Sequence, residues 1–233
     1  AGRRGPACRR SERAVRTRVS TLLRSGFRGR GWVLACSPPC WENIKPGETT
    51  AEQTMAILQQ LPDIDQKELS THGEAWNTFE DIIYFHILSK KIDGFAYILD
   101  QKVALLLFVG ELDITFDEAS QKIGLPKFII NIPTHSGPPG IPSVSYSITA
   151  FDPEKGIGYT DNTSEILKAM QAELEPDIPI KMIIYFDPKS YDHLLEGGIF
   201  SMSLLNRNDT LENLRPWDGY GPIEKKYPPA VIK

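Results

Sequence analysis

No stretch of this chain is apolar for long enough to cross a membrane as a helix. The longest strongly apolar run is Val103 to Val109, against the ~20 residues that a spanning helix needs. Cysteine is scarce: Cys8, Cys36 and Cys40 are all there is. With none beyond Cys40, a CxxC-type metal cluster is excluded from the body. Walker A and Gly-x-Gly-x-x-Gly patterns are absent, and so is the Gly-x-Ser-x-Gly elbow of a serine hydrolase. No metal or cofactor is therefore expected.

Two further scarcities divide the chain. Residues 1–34 contain no Lys, and the remainder contains only two Arg. Ten arginines and one acid, Glu12, leave the first segment at +9. Beyond it, 16 basic residues face 29 acids, which leaves -13. Such opposite habits place a boundary near Leu34. Residues 1–34 read as a disordered Arg-rich leader or a mis-assigned signal region. A cleaved transit peptide and a nucleic-acid-binding arm are the rival readings. Gly26, Gly29 and Gly31 interrupt any amphipathic helix, and an acidic body opposes nucleic acid.

Val33-Leu34-Ala35-Cys36 resembles a bacterial lipobox, in which the Cys is diacylated. The apolar h-region that should precede it is replaced by arginine and glycine. On that resemblance Cys36 is the candidate lipidation site, and residues 35–48 are a linker. Without a lipid, Cys36 and Cys40 are placed to close a Cys-Ser-Pro-Pro-Cys loop.

The body alternates helix starts with extended runs. Thr49-Thr50-Ala51-Glu52 reads as a capping box, with Ala51, Met55, Leu58 and Leu61 on one face and Pro62 beyond. Thr115-Phe116-Asp117-Glu118 repeats the device, with Phe116, Ala119 and Ile123 inward and Gly124 as the stop. Asn162-Thr163-Ser164-Glu165 reads as a third, and Asp187-Pro188 opens a short fourth helix. Strands are expected over 82–88, 95–99, 103–109, 128–132, 143–148, 157–159, 178–186 and 199–205. Asp93-Gly94 is a hairpin signal, and Asp100-Gln101-Lys102 a turn. These runs predict an α+β fold built from a repeated module of short helices packed on antiparallel β-meanders. The modules span 49–111 and 112–161, followed by a helix-strand extension over 162–233.

Cys40-Trp41, Ile44, Pro46-Gly47 and Thr49-Thr50 resemble the mature start of a group of uncharacterised bacterial lipoproteins. The turn Phe151-Asp152-Pro153-Glu154-Lys155-Gly156 and the ending Pro216-Trp217-Asp218-Gly219-Tyr220-Gly221 fit the same group. The resemblance covers roughly 40–221 and implies an extracytoplasmic, membrane-anchored protein. The module is also similar, at the level of fold, to small outer-membrane assembly lipoproteins and β-lactamase-inhibitor proteins. That similarity implies helices on one face of an antiparallel sheet and a role in binding other proteins.

Candidate chemistry is thin. His72, His86, His135 and His193 are scattered, and His86 reads as a strand-face residue. Most carboxylates sit at helix starts or turns, where capping explains them. Trp41, Trp76 and Trp217 read as packing rather than ligand-binding residues. The proline-rich stretch Thr134, His135, Ser136, Gly137, Pro138, Pro139 and Gly140 is the candidate binding loop, stiff enough to lose little entropy on binding. The adjoining Ser143/Ser145/Ser147 sheet face is expected to be open, with Val144, Tyr146 and Ile148 facing the helices. The expected function is a non-catalytic binding or structural lipoprotein whose partner is another protein. Nucleic acid is excluded, and the membrane is reached only through the lipid. The alternatives are a soluble enzyme with a polar pocket near His135, cytoplasmic in location, or an organelle-targeted protein. If the leader is no part of the fold, a chain beginning at Pro38 melts within a few degrees of the full one. A loss above about 2 kcal/mol in denaturant titration would place the leader in the fold.

Overall fold

Helix and strand segregate as the capping pattern demands. In a computed structural model of the chain the described residues are 36–73, 79–136, 143–162, 173–196 and 207–228. All belong to one unit, Leu34–Lys233. The first helix, α1 (Ala51–Gln60), is capped by Thr50, one residue later than expected. Thr50 Oγ1 accepts from the Gln53 amide, and Gln53 Oε1 accepts from the Thr50 amide. Thr49 is occupied elsewhere, taking the Lys45 amide at 2.8 Å. Its inward residues are Thr54 and Leu58. The second helix, α2 (Phe116–Ile123), carries the expected Thr115–Glu118 box and ends at Gly124.

Antiparallel strands follow each helix: β1 (Ser70–Gly73), β2 (Asp81–Ile87), β3 (Ile92–Leu99) and β4 (Lys102–Gly110) after α1; β5 (Phe128–Ser136), β6 (Ser143–Asp152) and β7 (Ile157–Asn162) after α2. A two-residue strand, β8 (Glu173–Leu174), precedes β9 (Met182–Phe186). A 3-10 turn N-capped by Asp187 then runs into α3 (Tyr191–Glu196), as the Asp-Pro signal predicts. The C-terminal elements are α4 (Arg207–Glu212), β10 (Leu214–Pro216), β11 (Gly221–Pro222) and α5 (Ile223–Lys226). The expected third helix start after Asn162 and the expected strand over 199–205 lie outside the described residues.

One nine-stranded sheet results, in the order β1-β2-β3-β4-β9-β7-β6-β5-β10, with every pairing antiparallel. The α+β class is therefore as expected. The β2-β3-β4 and β7-β6-β5 meanders lie on either side of β9, which comes from the last third of the chain. Five consecutive residues of β9 are buried, so it packs on both faces.

Cross-strand register sorts side chains into rows. Phe85, Gly94, Phe108, Ile183, Tyr159, Ala150 and Ile129 form one row facing α1 and α2. Asp93-Gly94 is not the hairpin turn, which falls at residues 88–91. Gly94 sits inside β3 because a Cβ there would meet the Phe85 ring at 2.1 Å. Trp41 lies against the same ring, stacked at 5.4 Å, and meets Phe108 edge-on at 5.1 Å. Cys40, Trp41 and Ile44, within the stretch read as a linker, are buried. Gly47 adopts φ +82, and a Cβ there would lie 2.7 Å from the Asp187 carboxyl carbon. The Pro46-Gly47 pair therefore lets the leading segment run beside the end of β9.

The opposite face is covered too. Tyr191, Leu194 and Leu195 of α3 join Phe79 over Ile82, Tyr97, Leu105, Phe151 and Phe186. The expectation of one helix-covered face and one open face is thus corrected at the centre of the sheet. Each face of the sheet is apolar there, so each needs a cover. Trp217 stacks on Phe116 and Tyr227 and seals the α2 side. Trp41→Ala is expected to cost about 3–5 kcal/mol, as removal of a buried aromatic does. Chemical denaturation of the variant measures it; a loss below about 1 kcal/mol would contradict the packing role.

Candidate functional site

The residues singled out from sequence do not converge. Cys36 is joined to Cys40 by a disulfide. A lipid thioether and this crosslink need the same sulfur, so they are alternative states of Cys36. Thr134, His135 and Ser136 are not loop but strand: their backbones pair with Ser145, Val144 and Ser143 in the β5–β6 hairpin. Among the described residues β5 is the outermost strand there, since β10 covers only Phe128 to Ile130. Pro133 is tolerated at such an edge. Gly137, Pro138, Pro139 and Gly140 lie outside the described residues. Ile148 faces the helices as expected and is fully buried, while Ser147 on the other face is half-buried.

A cleft of about 750 Å³ opens at one end of the sheet, between the Pro38-Pro39 turn, the β3–β4 and β6–β7 turns and the exit of β9. Lys45, Lys102, Lys155 and Lys189 line it, together with Glu48, Asp100, Glu154 and Asp187. Several of these charges are already paired: Lys45 with Glu48, Lys155 with Asp152, and Glu154 with Lys127. The cleft has no net sign and selects no charged ligand.

A second polar group lies on β2 and β3, on the α3 side of the sheet but near its edge. Asp93 Oδ1 accepts from Tyr84 Oη at 2.8 Å and from His86 Nδ1 at 2.8 Å. An acceptor-only carboxylate fixes the proton on Nδ1. Glu68 Oε2 stands 3.4 Å from the same Tyr84 hydroxyl. Desolvation, then the Asp93 and Glu68 carboxylates, push the Tyr84 phenol up to about 12. It therefore remains a hydrogen-bond donor at neutral pH. On β1, Ser70 Oγ lies 3.0 Å from His72 Nε2. Among the described residues no three His, Cys, Asp or Glu side chains gather as metal ligands.

One buried charge escaped the sequence reading. Asp161 continues the inward alternation of Ile157 and Tyr159 along β7, and it is 3% exposed. Its Oδ2 has no hydrogen-bond partner. Burial pushes its carboxyl up to about 7, with the Lys181 charge pulling the other way. The signal was available: an acid at the third inward position of a strand. It was missed because the strand was ended at Tyr159. Asn131 Oδ1 and Tyr185 Oη are also buried without partners. Asp152 Oδ2 is an ion-pair neighbour of Lys155 at 3.1 Å but is not aligned as a hydrogen bond.

No family model, curated protein or solved structure matches the chain.

Because the folded-state pKa of Asp161 is raised, its proton is held more tightly when folded. Its penalty is absent below about pH 4, grows as pH rises towards about 7, and is full above. Asp161→Asn is expected to stabilise the protein at pH 8 by on the order of 1–2 kcal/mol and to change little near pH 4. Thermal melts of both proteins across that range check it. Equal stabilisation at both pH values would refute the assignment.

Proposed function

We propose that this protein is an extracytoplasmic, non-catalytic binding body. The observation that carries the reading is the Cys36–Cys40 disulfide. Disulfides persist in oxidising compartments and are rare in the cytosol. The alternative state of Cys36, a diacylated lipobox cysteine, is also an extracytoplasmic modification. Both states of that sulfur support one location, and the lipidated one adds a membrane anchor. Two or more acyl chains make such an anchor stable. A protein partner suits a body at -13, which repels nucleic acid and anionic lipid heads. The similarity to protein-binding lipoproteins supports the same role.

The runs α1 with β2-β3-β4 and α2 with β5-β6-β7 are read as two copies of one module. Their Thr-led capping boxes and their places on either side of β9 support this.

Mass spectrometry of the protein taken from its own host, alkylated without reduction, tests the reading. An intact Cys36–Cys40 bond is expected, or a diacylglyceryl group on Cys36 with Cys40 alkylated. Alkylation of both Cys36 and Cys40 would overturn the location. In the lipidated case Cys36→Ser should move the protein from the membrane to the soluble fraction.

A further inference from the structure

The sheet has two edges, and they are built differently. At one, β10 is three residues long and contains Arg215 and Pro216, features that discourage further pairing. At the other, β1 reads Ser70-Thr71-His72-Gly73, with neither proline nor a permanently charged side chain. Among the described residues it pairs only with β2, and Thr71, His72 and Gly73 are exposed. In antiparallel pairing alternate residues direct their N–H and C=O groups away from the neighbour. Those of β1 point out of the sheet as a template for another strand.

The sheet face beside this edge lies beyond the cover of α3. Ser70, Tyr84, Phe95, Leu107 and Ile184 share one row. Leu107 and Ile184 are buried, but Tyr84 and Phe95 are half-buried. Their rings pack 5.4 Å apart and leave an aromatic step next to β1. Acids border the step: Glu68 and Asp93 stand at the Tyr84 hydroxyl. Glu68 has no cationic partner among the described residues.

We infer that β1 accepts an added strand from a basic segment of a partner protein. In that strand every second side chain faces the Tyr84–Phe95 step. Lys or Arg at such positions would meet Glu68 and Asp93, with the alkyl stem lying along the rings. The backbone bonds supply affinity and the acids select the charge. This names the surface and partner chemistry of the proposed binding role and rests on it.

The test uses the full chain and a synthetic extended peptide of about eight residues alternating Lys with Val or Thr. Two control peptides accompany it, one with Glu for Lys and one N-methylated at alternate backbone nitrogens with its charge unchanged. Binding is followed by fluorescence titration and by amide shifts in nitrogen-15 spectra. The Lys peptide should bind and shift amides of residues 70–73 and 81–99. The N-methylated peptide should bind at least about tenfold more weakly, since it cannot complete the ladder. The variant Glu68→Lys should lose about tenfold for the Lys peptide and keep its melting temperature. Equal binding of the N-methylated peptide would reduce the effect to charge attraction and overturn the inference. Shifts lying outside β1–β3, or sedimentation showing that two copies pair through β1 in place of the peptide, would overturn it as well. If that variant fails to fold, the N-methyl comparison decides alone. The thiol and lipid state of Cys36 is measured separately, so failure here leaves the location reading standing, and the reverse.

Discussion

The pairing of β9 between β4 and β7 is the constraint on which the rest of the structure depends. Without it, each three-stranded meander would expose an inner edge of unpaired backbone next to an apolar face. β9 satisfies both edges at once through Leu105–Val109 on one side and Ile157–Thr160 on the other. Its five buried residues then demand a cover on each face. One cover is α1 and α2 with the Trp41 segment; the other is α3, which follows β9 after only a short turn. Asp187 makes that turn by capping the 3-10 helix while its own amide donates to Ala104.

The residues of the Cys40-Trp41 to Pro46-Gly47 stretch and of the Pro216 to Gly221 ending have structural work in this protein. The Phe85 ring fills the space that Gly94 leaves open, Trp41 stacks on that ring, and Gly47 makes room for Asp187. Phe116, Trp217, Tyr220 and Tyr227 form an aromatic set on α2. The Tyr227 hydroxyl donates to the Gly219 carbonyl and accepts from the Asp218 amide, which holds the Pro-Trp-Asp-Gly-Tyr-Gly ending in place. Motif residues spent on packing are not available as ligand contacts. What remains for binding is the periphery, where the helical covers stop.

Polar groups sort by the same geometry. The Thr149 and Thr160 hydroxyls face one another at 3.0 Å and satisfy each other inside the sheet stack. Asp161, one residue further along β7, turns to the other face and finds no such partner. A buried carboxylate without hydrogen bonds is destabilising at neutral pH, and its cost is borne by the surrounding apolar contacts. Glu68, near β1, differs in being exposed to solvent.

Local rules were enough for the sequence to determine much of this. The Thr115–Glu118 capping box, the Asp-Pro start of the 3-10 turn, the Asp100-Gln101 turn with both residues at positive φ, and the period-two run into Ile148 all act over a few residues and were readable directly. So was the antiparallel α+β class, since each meander is joined by short turns. Tertiary structure alone decided the rest, because it depends on contacts between distant residues. Gly94 looks like a turn glycine until Phe85 is placed over it. Thr134 to Ser136 look like loop until β6 is aligned beside them. The strand order, with β9 inserted between two earlier meanders, is set by which apolar edges can be satisfied together, and no local spacing encodes that.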